Sequence, residues 1–276
     1  MSVLIAIPAR YASTRYPGKP LVELNGPDGR KTLIRRSWEA AMAVQGADRV
    51  VVATDDDRIR DHAIAFGAEV VMTSSDCQNG TERCAEVAQK LPGFDIVVNL
   101  QGDAPLTPAW FVEDLIAGLR ADPGAEIATP VLRCEGAMLA KLLEDRRHGR
   151  VGGTTAVFGA GGRGLYFSKE VIPFTGKAYG PEEPTPVFHH VGVYAYRPAA
   201  LRAYAASPPT PLELACADPA RQASTATAGS SGRAPAPPAR RASGSRTTRR
   251  CRRCSTARLR SSPSWRSPTC ATWPRR

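Results

Sequence analysis

The chain has 276 residues, enough for one large domain or two small ones around a sizeable core. Its formal net charge of +11 would suit a nucleic-acid binder, but residues 215–276 alone hold fourteen Arg, no Lys and one acidic residue, Asp218. Residues 1–214 keep 23 basic and 25 acidic residues, a mildly acidic body for which neither nucleic acid nor a membrane surface is an expected partner.

The first predicted element is a buried strand carrying Val3, Leu4, Ile5 and Ile7, ended by Pro8, which cannot donate to a ladder. It opens into a basic loop, so that residues 5–20 read IAIPARYASTRYPGKP. Arg10, Arg15 and Lys19 fall within ten residues, with Ser13 and Thr14 between them and Gly18 allowing close backbone approach. A loop at the carboxyl end of a first strand is where open α/β sheets bind ligands, and fixed cations with backbone N–H groups suit a polyphosphate. The alternative is a solvated basic loop. Neither G-x-x-x-x-G-K-[ST] nor G-x-G-x-x-G is present.

Thr32 is placed to cap a helix whose apolar face is Leu33, Ile34, Trp38 and Ala41. A second buried strand at 50–54 ends in Asp55-Asp56-Asp57, read as cap and dipole complement of a helix over 58–66 that stops at Gly67. A strand at 69–72 and a helix over 81–91 follow, and Asn79 or Thr81 can cap that helix. Its start, Asn79-Gly80-Thr81-Glu82-Arg83, also offers backbone N–H groups to a nucleotide. The strand at 95–100 delivers Gln101-Gly102-Asp103 to the same crevice as the first loop. A lone carboxylate beside phosphates is what Mg²⁺ uses, although a cap or turn aspartate is the plainer alternative.

Beyond Gly124 strands are expected at 127–132, 154–158, 164–167 and 191–196, with 175–186 as a long surface loop. Residues 1–206 thus alternate strands and helices, which implies a mainly parallel sheet covered on both sides, with a small lobe over the first loop. Tyr166, Ser168, His190 and Tyr194 supply aromatic, hydroxyl and imidazole groups suited to a polyhydroxy acid. His189 and His190, adjacent in a strand, must face opposite sides, in an order the sequence leaves open. The scattered Cys77, Cys84, Cys134 and Cys216 have no disulfide-framework spacing, so a reducing cytoplasm is the expected setting.

Taken together, IPARYASTRYPGKPLVELNG, MTSSDCQNGTER, VVNLQGDAP, LYFSKEVIPF and HHVGVYAYR, in this order, resemble the 3-deoxy-manno-octulosonate (Kdo) cytidylyltransferases over residues 1–213. The resemblance implies the nucleotide-diphospho-sugar transferase fold: α/β, Rossmann-like, a mixed, mainly parallel sheet with a small substrate and dimerisation lobe. It implies a cytoplasmic homodimer that joins CTP to a 3-deoxy-ulosonic acid with Mg²⁺, for lipopolysaccharide or capsule synthesis. By position, Arg10, Ser13, Arg15 and Lys19 would hold the phosphates, and Thr73, Asn79, Gly80 and Arg83 would place the cytidine. Asp103 would ligate Mg²⁺, with Arg10, Lys19 and Asp103 the catalytic set. Gln101, Tyr166, Ser168, His190, Tyr194 and Glu213 would line the sugar-acid pocket. Ala104, His189 and Lys169 depart from the family's usual Glu, Arg and Arg, which leaves room for another acidic sugar, such as a sialic acid.

The chain divides at Leu214. Residues 215–276 contain one aliphatic side chain larger than alanine, Leu259, and cannot bury enough apolar surface to offset chain entropy, so disorder is expected. Arginine without lysine is the signature of a GC-rich reading frame translated out of register, beginning near Glu213 or Leu214. The other reading is a basic arm that contacts RNA or an anionic surface. The family pattern after Glu213, including a residue that helps complete the metal site, has no counterpart in this segment.

Overall fold

The computed structural model describes residues 1–12, 16–209 and 211, together with the backbone of 269–274. By contact density residues 1–207 with 267–276 form one unit and 208–266 another, of which only Pro208, Pro209 and Pro211 are described.

In chain order the elements are β1 (Val3–Ala9), β2 (Glu23–Leu24), β3 (Lys31–Thr32), α1 (Leu33–Met42), β4 (Arg49–Thr54), α2 (Asp57–Ala65), β5 (Glu69–Met72), α3 (Gly80–Lys90) and β6 (Ile96–Leu100). Then come α4 (Ala109–Ala121), β7 (Ala125–Glu135), α5 (Gly136–Arg147), β8 (Thr154–Phe158), β9 (Gly164–Ser168), β10 (Pro184–His190), β11 (Val193–Tyr196), α6 (Pro198–Ala206) and β12 (Thr269–Pro274). The main sheet runs β5-β4-β1-β6-β11-β7-β10-β8-β9, with β12 also on β7. It is mixed: parallel from β5 to β6, antiparallel from β11 onward.

The handedness of βαβ crossovers places the helices. From β1 the chain steps to β4 and β5 on one side, then α3 carries it back across β1 to β6. Steps in opposite directions put their helices on opposite faces. Ile34, Ala41, Ile59 and Ala63 of α1 and α2, with Val112 and Leu115 of α4, therefore cover Ile5, Ile7, Val52 and Val98. On the other face Cys84, Ala85 and Val87 of α3, with Leu201 of α6, cover Leu4, Ala6, Val51 and Val97. Val3, Leu4, Ile5 and Ile7 are fully buried, each contributing about 1.5–3 kcal/mol of transfer free energy. A central parallel strand buried on both faces reads as a continuous apolar run, which is why β1 and β6 stand out in the sequence.

Several elements depart from the expectation. The surface loop expected at 175–186 ends in β10, which alternates exposed and buried residues (Pro184 out, Thr185 in, Pro186 out, Val187 in). Its two prolines hide that period-2 signal. The helices α4, α5 and α6 have no counterpart in the sequence reading; α5 owes its place to packing of Leu139 and Leu142 on Cys134 and Val187. Thr32 sits at the N-cap of α1 but gives the helix no side-chain bond; its hydroxyl meets His62 Nε2 at 2.7 Å. Within the segment expected to be disordered, 269–274 pair antiparallel with β7, an interaction that uses backbone groups and tolerates almost any sequence.

The three consecutive aspartates have separate tasks. Asp56 caps α2, accepting from the Arg58 N–H at 3.0 Å, and Asp57 pairs with Arg60. Asp55 turns inward to the guanidinium of Arg83, 3.4 Å away, so only part of the cluster serves the helix end.

Where β6 leaves the sheet, Gly102 N–H donates to the Pro8 carbonyl at 3.3 Å, and a Cβ at Gly102 would lie 2.7 Å from that oxygen. Gly102→Ala should therefore cost about 1–3 kcal/mol through overpacking, read as a lower thermal midpoint; an unchanged midpoint would show that the two loops are less tightly spliced than this contact implies.

Candidate active site

A crevice of about 490 Å³ opens at the carboxyl ends of β1 and β6. Strand order reverses between these two strands, which is where open α/β sheets place their ligands. Its walls include Arg10 and Lys19 from the loop after β1, Asn79, Gly80 and Arg83 from the start of α3, and Gln101, Gly102 and Asp103 after β6.

Gly18 adopts a left-handed conformation (φ +70°), its N–H donates to the Tyr11 carbonyl at 2.9 Å, and Lys19 leaves the turn toward β6. Lys19 Nζ meets Asp103 Oδ2 at 2.5 Å, with both side chains about half exposed. The two chemistry-bearing loops thus touch through opposite charges. Arg10 Nη1 reaches the Gln78 carbonyl at 3.4 Å, tying the first loop to the approach of α3.

Asn79, not Thr81, caps α3: its Oδ1 accepts from the N–H groups of Thr81 and Glu82, both at 3.0 Å. Its Nδ2 donates to Glu82 Oε1 and to the Tyr204 hydroxyl of α6. Gly80 lies where a Cβ would come within 3.1 Å of Pro8 and 3.3 Å of Gln101 Nε2, so the helix start sits close against the exit of β1. Arg83 is only 3 % exposed; it donates to the Thr73 hydroxyl and faces Asp55. Thr73 accordingly stands behind Arg83 as its partner. A buried guanidinium needs such partners, because removing one leaves an uncompensated charge.

Gln101 Nε2 donates to Asn99 Oδ1 at 2.8 Å, and Asn99 is fully buried. Next to Asn99 in the sheet stands Tyr194, whose ring lies 5.4 Å from His190. His190 Nε2 meets the Thr129 hydroxyl at 2.9 Å and its ring packs edge-on to Phe167. So His190 faces the side of Asn99 and Tyr194, and His189 faces α5, against Leu142 and Gly153. Strand alternation then places Tyr166 and Ser168 on the opposite face of β9 from Phe167. They therefore lie on the other face of the sheet from His190, whereas Phe167 stands beside it. Ser13, Arg15 and Glu213 lie outside the described residues.

The crevice wall also includes Tyr16, Cys77, Gln78 and Pro20, and Thr129 and Phe167 stand beside His190; the sequence reading names none of these as site residues. Tyr16 and Pro20 are recoverable as neighbours of Lys19. Thr129 is not, because its position depends on the pairing of β7 with β10 and β11.

Among the described residues no group of three or more His, Cys, Asp or Glu side chains could hold a metal by itself. One carboxylate facing a basic crevice fits a Mg²⁺ that takes its remaining ligands from phosphate oxygens and water.

Burial holds the His190 imidazole down to about 4, with His189 adding to the effect, and burial lowers His189 as well. The unfolded chain binds these protons near pH 6.5 and the folded one does not, so stability falls as pH drops from about 6.5 to 4. The lowered carboxylates, such as Asp56 and Glu86, contribute stability that is lost only below their unfolded values near 4. Calorimetric melts across pH 4.5–7.5 should show the midpoint falling on acidification, with a shallower slope in His190→Gln; an unchanged slope in that variant would rule His190 out as its source.

A cytidylyltransferase family model matches residues 4–217. The chain is 48% identical over 215 residues to the 3-deoxy-manno-octulosonate cytidylyltransferase of Maricaulis maris, covering 78% of this chain and 80% of that protein. The enzyme of the same name from Chlamydia trachomatis is 43% identical over 210 residues, 76% of each chain. A solved structure of CMP:2-keto-3-deoxy-manno-octonic acid synthetase complexed with CTP superposes with a TM-score of 0.67 at 35% identity, covering 82% of this chain and 87% of the other. A switch-point crevice walled by Arg10, Lys19 and Asp103, on a chain this similar in sequence and fold, leads to one assignment: the chain belongs to the cytidylyltransferase family and is a nucleotidyltransferase of the Kdo cytidylyltransferase type.

Proposed function

We propose that the enzyme joins CTP to 3-deoxy-D-manno-octulosonate, giving CMP-Kdo and pyrophosphate, in the cytoplasm and for lipopolysaccharide or capsule synthesis. The observation that carries this reading is the meeting of Lys19 and Asp103 across the switch-point crevice, with Arg10 and Arg83 on its walls. The names of the similar proteins supply the substrates: the Maricaulis and Chlamydia relatives are 3-deoxy-manno-octulosonate cytidylyltransferases, and the similar solved structure holds CTP. The free thiols Cys77, Cys84 and Cys134 suit a reducing compartment.

The reaction is a direct displacement. The anomeric hydroxyl of the sugar acid attacks the α-phosphorus of CTP, a new P–O bond forms, and the bond to the β-phosphate oxygen breaks with its electron pair leaving on pyrophosphate. The hydroxyl proton passes to water. Arg10 and Lys19 neutralise charge on the phosphates and the leaving group, a preorganised electrostatic role that needs no covalent intermediate. Asp103 is the residue that would hold Mg²⁺, which when bound supplies further charge neutralisation on the triphosphate. Arg83, fixed by Thr73 and Asp55, and the start of α3 at Gly80 receive the nucleoside. Gln101, His190 and Tyr194 face the sugar acid; His190 is neutral at physiological pH and acts through hydrogen bonding rather than charge. A homodimer is part of this reading, with the outer strand β9 and its exposed Leu165 and Tyr166 as the surface available for pairing.

We further propose that the reading frame changes near Glu213–Leu214. The family match ends at residue 217, and the segment after it has the arginine-only basicity of an out-of-frame translation. Resequencing the codons for 211–218 and translating every frame tests this. A frame that restores a Glu- and Leu-rich helix supports it, and a confirmed frame with no such alternative refutes it.

Pyrophosphate release from CTP, with Mg²⁺ and Kdo, should be measured for the chain as written and for the restored frame. The restored protein should turn over and the written chain should be much slower. Lys19→Ala in the restored protein should lose roughly 10²-fold in kcat/KM, the scale of one lost electrostatic contact to developing charge. Release with a sialic acid but not with Kdo would move the assignment to another acidic sugar, and a solution mass of one chain would remove the dimer.

A further inference from the structure

The basic loop is braced by a group outside it. Tyr11 and Gly18 stand near the two ends of the loop that leads to Lys19. The Tyr11 carbonyl accepts from the Gly18 N–H, and the Tyr11 ring lies so close that a Cβ on Gly18 would be 3.1 Å from it. Against the same ring lies the Arg58 guanidinium, its carbon 3.3 Å from the ring centroid. Arg58 belongs to the first turn of α2, on the far side of β4 from Lys19's partner strand β6.

Arg58 is itself held. Asp56 takes its Nε at 3.0 Å and its Nη2 at 2.6 Å in a two-point fork, while the same carboxylate caps α2. The cap requires only Asp56 and the Arg58 N–H; it does not require the Arg58 side chain to lie over Tyr11. Since Asp56 neutralises it, Arg58 adds little net attraction for an anion. What it contributes is a flat, charged plate on an aromatic face, a contact that Lys does not reproduce with the same geometry.

We propose that Arg58 and Tyr11 are positioning residues for the nucleotide's phosphates: the stack Asp56–Arg58–Tyr11–Gly18 fixes the turn from which Lys19 reaches Asp103. This rests on the reading of the crevice as a CTP site. A substituent larger than hydrogen at Gly18 would meet the Tyr11 ring, and a truncated ring at position 11 would leave the left-handed turn without a wall.

The test is calorimetric titration of the full chain with CTP and, separately, with CMP, for the wild type, Arg58→Ala, Tyr11→Leu and Tyr11→Phe. Arg58→Ala and Tyr11→Leu should weaken CTP about two- to fivefold, the range of a solvent-exposed cation–π contact. CMP affinity should stay as in wild type, so that the CTP-to-CMP affinity ratio falls. Tyr11→Phe, which keeps the ring, should restore the wild-type ratio. An unchanged ratio in both truncated variants, or an equal loss for CTP and CMP, would overturn the positioning role. A wild-type chain that binds CTP no better than CMP would instead overturn the triphosphate reading of the crevice itself.

Discussion

Everything chemical in this protein depends on how closely β1 and β6 leave the sheet together. The two strands pair in parallel through Val3–Ala6 and Ile96–Asn99, and their exits are spliced where Gly102 lies against the Pro8 carbonyl. Ser37 of α1 adds a buried hydroxyl that donates to the Gly102 carbonyl at 3.0 Å. A side chain at residue 102 would push the loops apart, and with them Lys19 and Asp103. The apolar core therefore acts at the crevice indirectly: by burying all of β6 and all but Pro8 of β1 it fixes the distance between a cation and a carboxylate that are themselves half in water.

The same division governs the polar groups around the crevice. Surface ion pairs contribute little to stability, about 0–1 kcal/mol each, so the half-exposed Lys19–Asp103 contact is not what holds the fold. Its value is positional. Arg83 is the opposite case, a buried charge whose partners Thr73 and Asp55 come from the ends of β5 and β4. The ends of the parallel strands and the start of one helix thus converge on one corner of the molecule, each bringing a short polar segment that the core cannot accept.

On the antiparallel side the logic changes. There Tyr194, Thr129, His190 and Phe167 form a row across β11, β7, β10 and β9, held together by ring contacts and one hydroxyl–imidazole bond. Burial keeps this histidine neutral, so the row presents aromatic and hydrogen-bonding groups rather than a positive charge. Residues 269–274 pair with the same strand β7 through backbone groups.

How much of this is readable from the chain alone follows from which signals are local. β1, β6 and most of β4 are legible because a strand buried on both faces must be a continuous apolar run; β5, the partly buried outer strand, shows instead through Val70, Val71 and Met72 after a glycine stop. The loops after them are legible because cations, glycines and a carboxylate at strand ends have few structural uses. The caps are half legible: Asn79 and Thr81 are equal candidates by residue type, and only the hydrogen bonds to the helix N–H groups choose Asn79. By itself the sequence determined the α/β class, the basic, glycine-containing first loop, the carboxylate Asp103 at the end of β6 and the family. Tertiary structure alone decided that His190 rather than His189 faces Tyr194, that Tyr166 and Ser168 turn away, that Asp55 serves Arg83, and that Arg58 braces Tyr11. The reason is physical: composition and period act along the chain, whereas which face a strand presents is set by its register with a neighbour far away in sequence, and a shift of one residue reverses it.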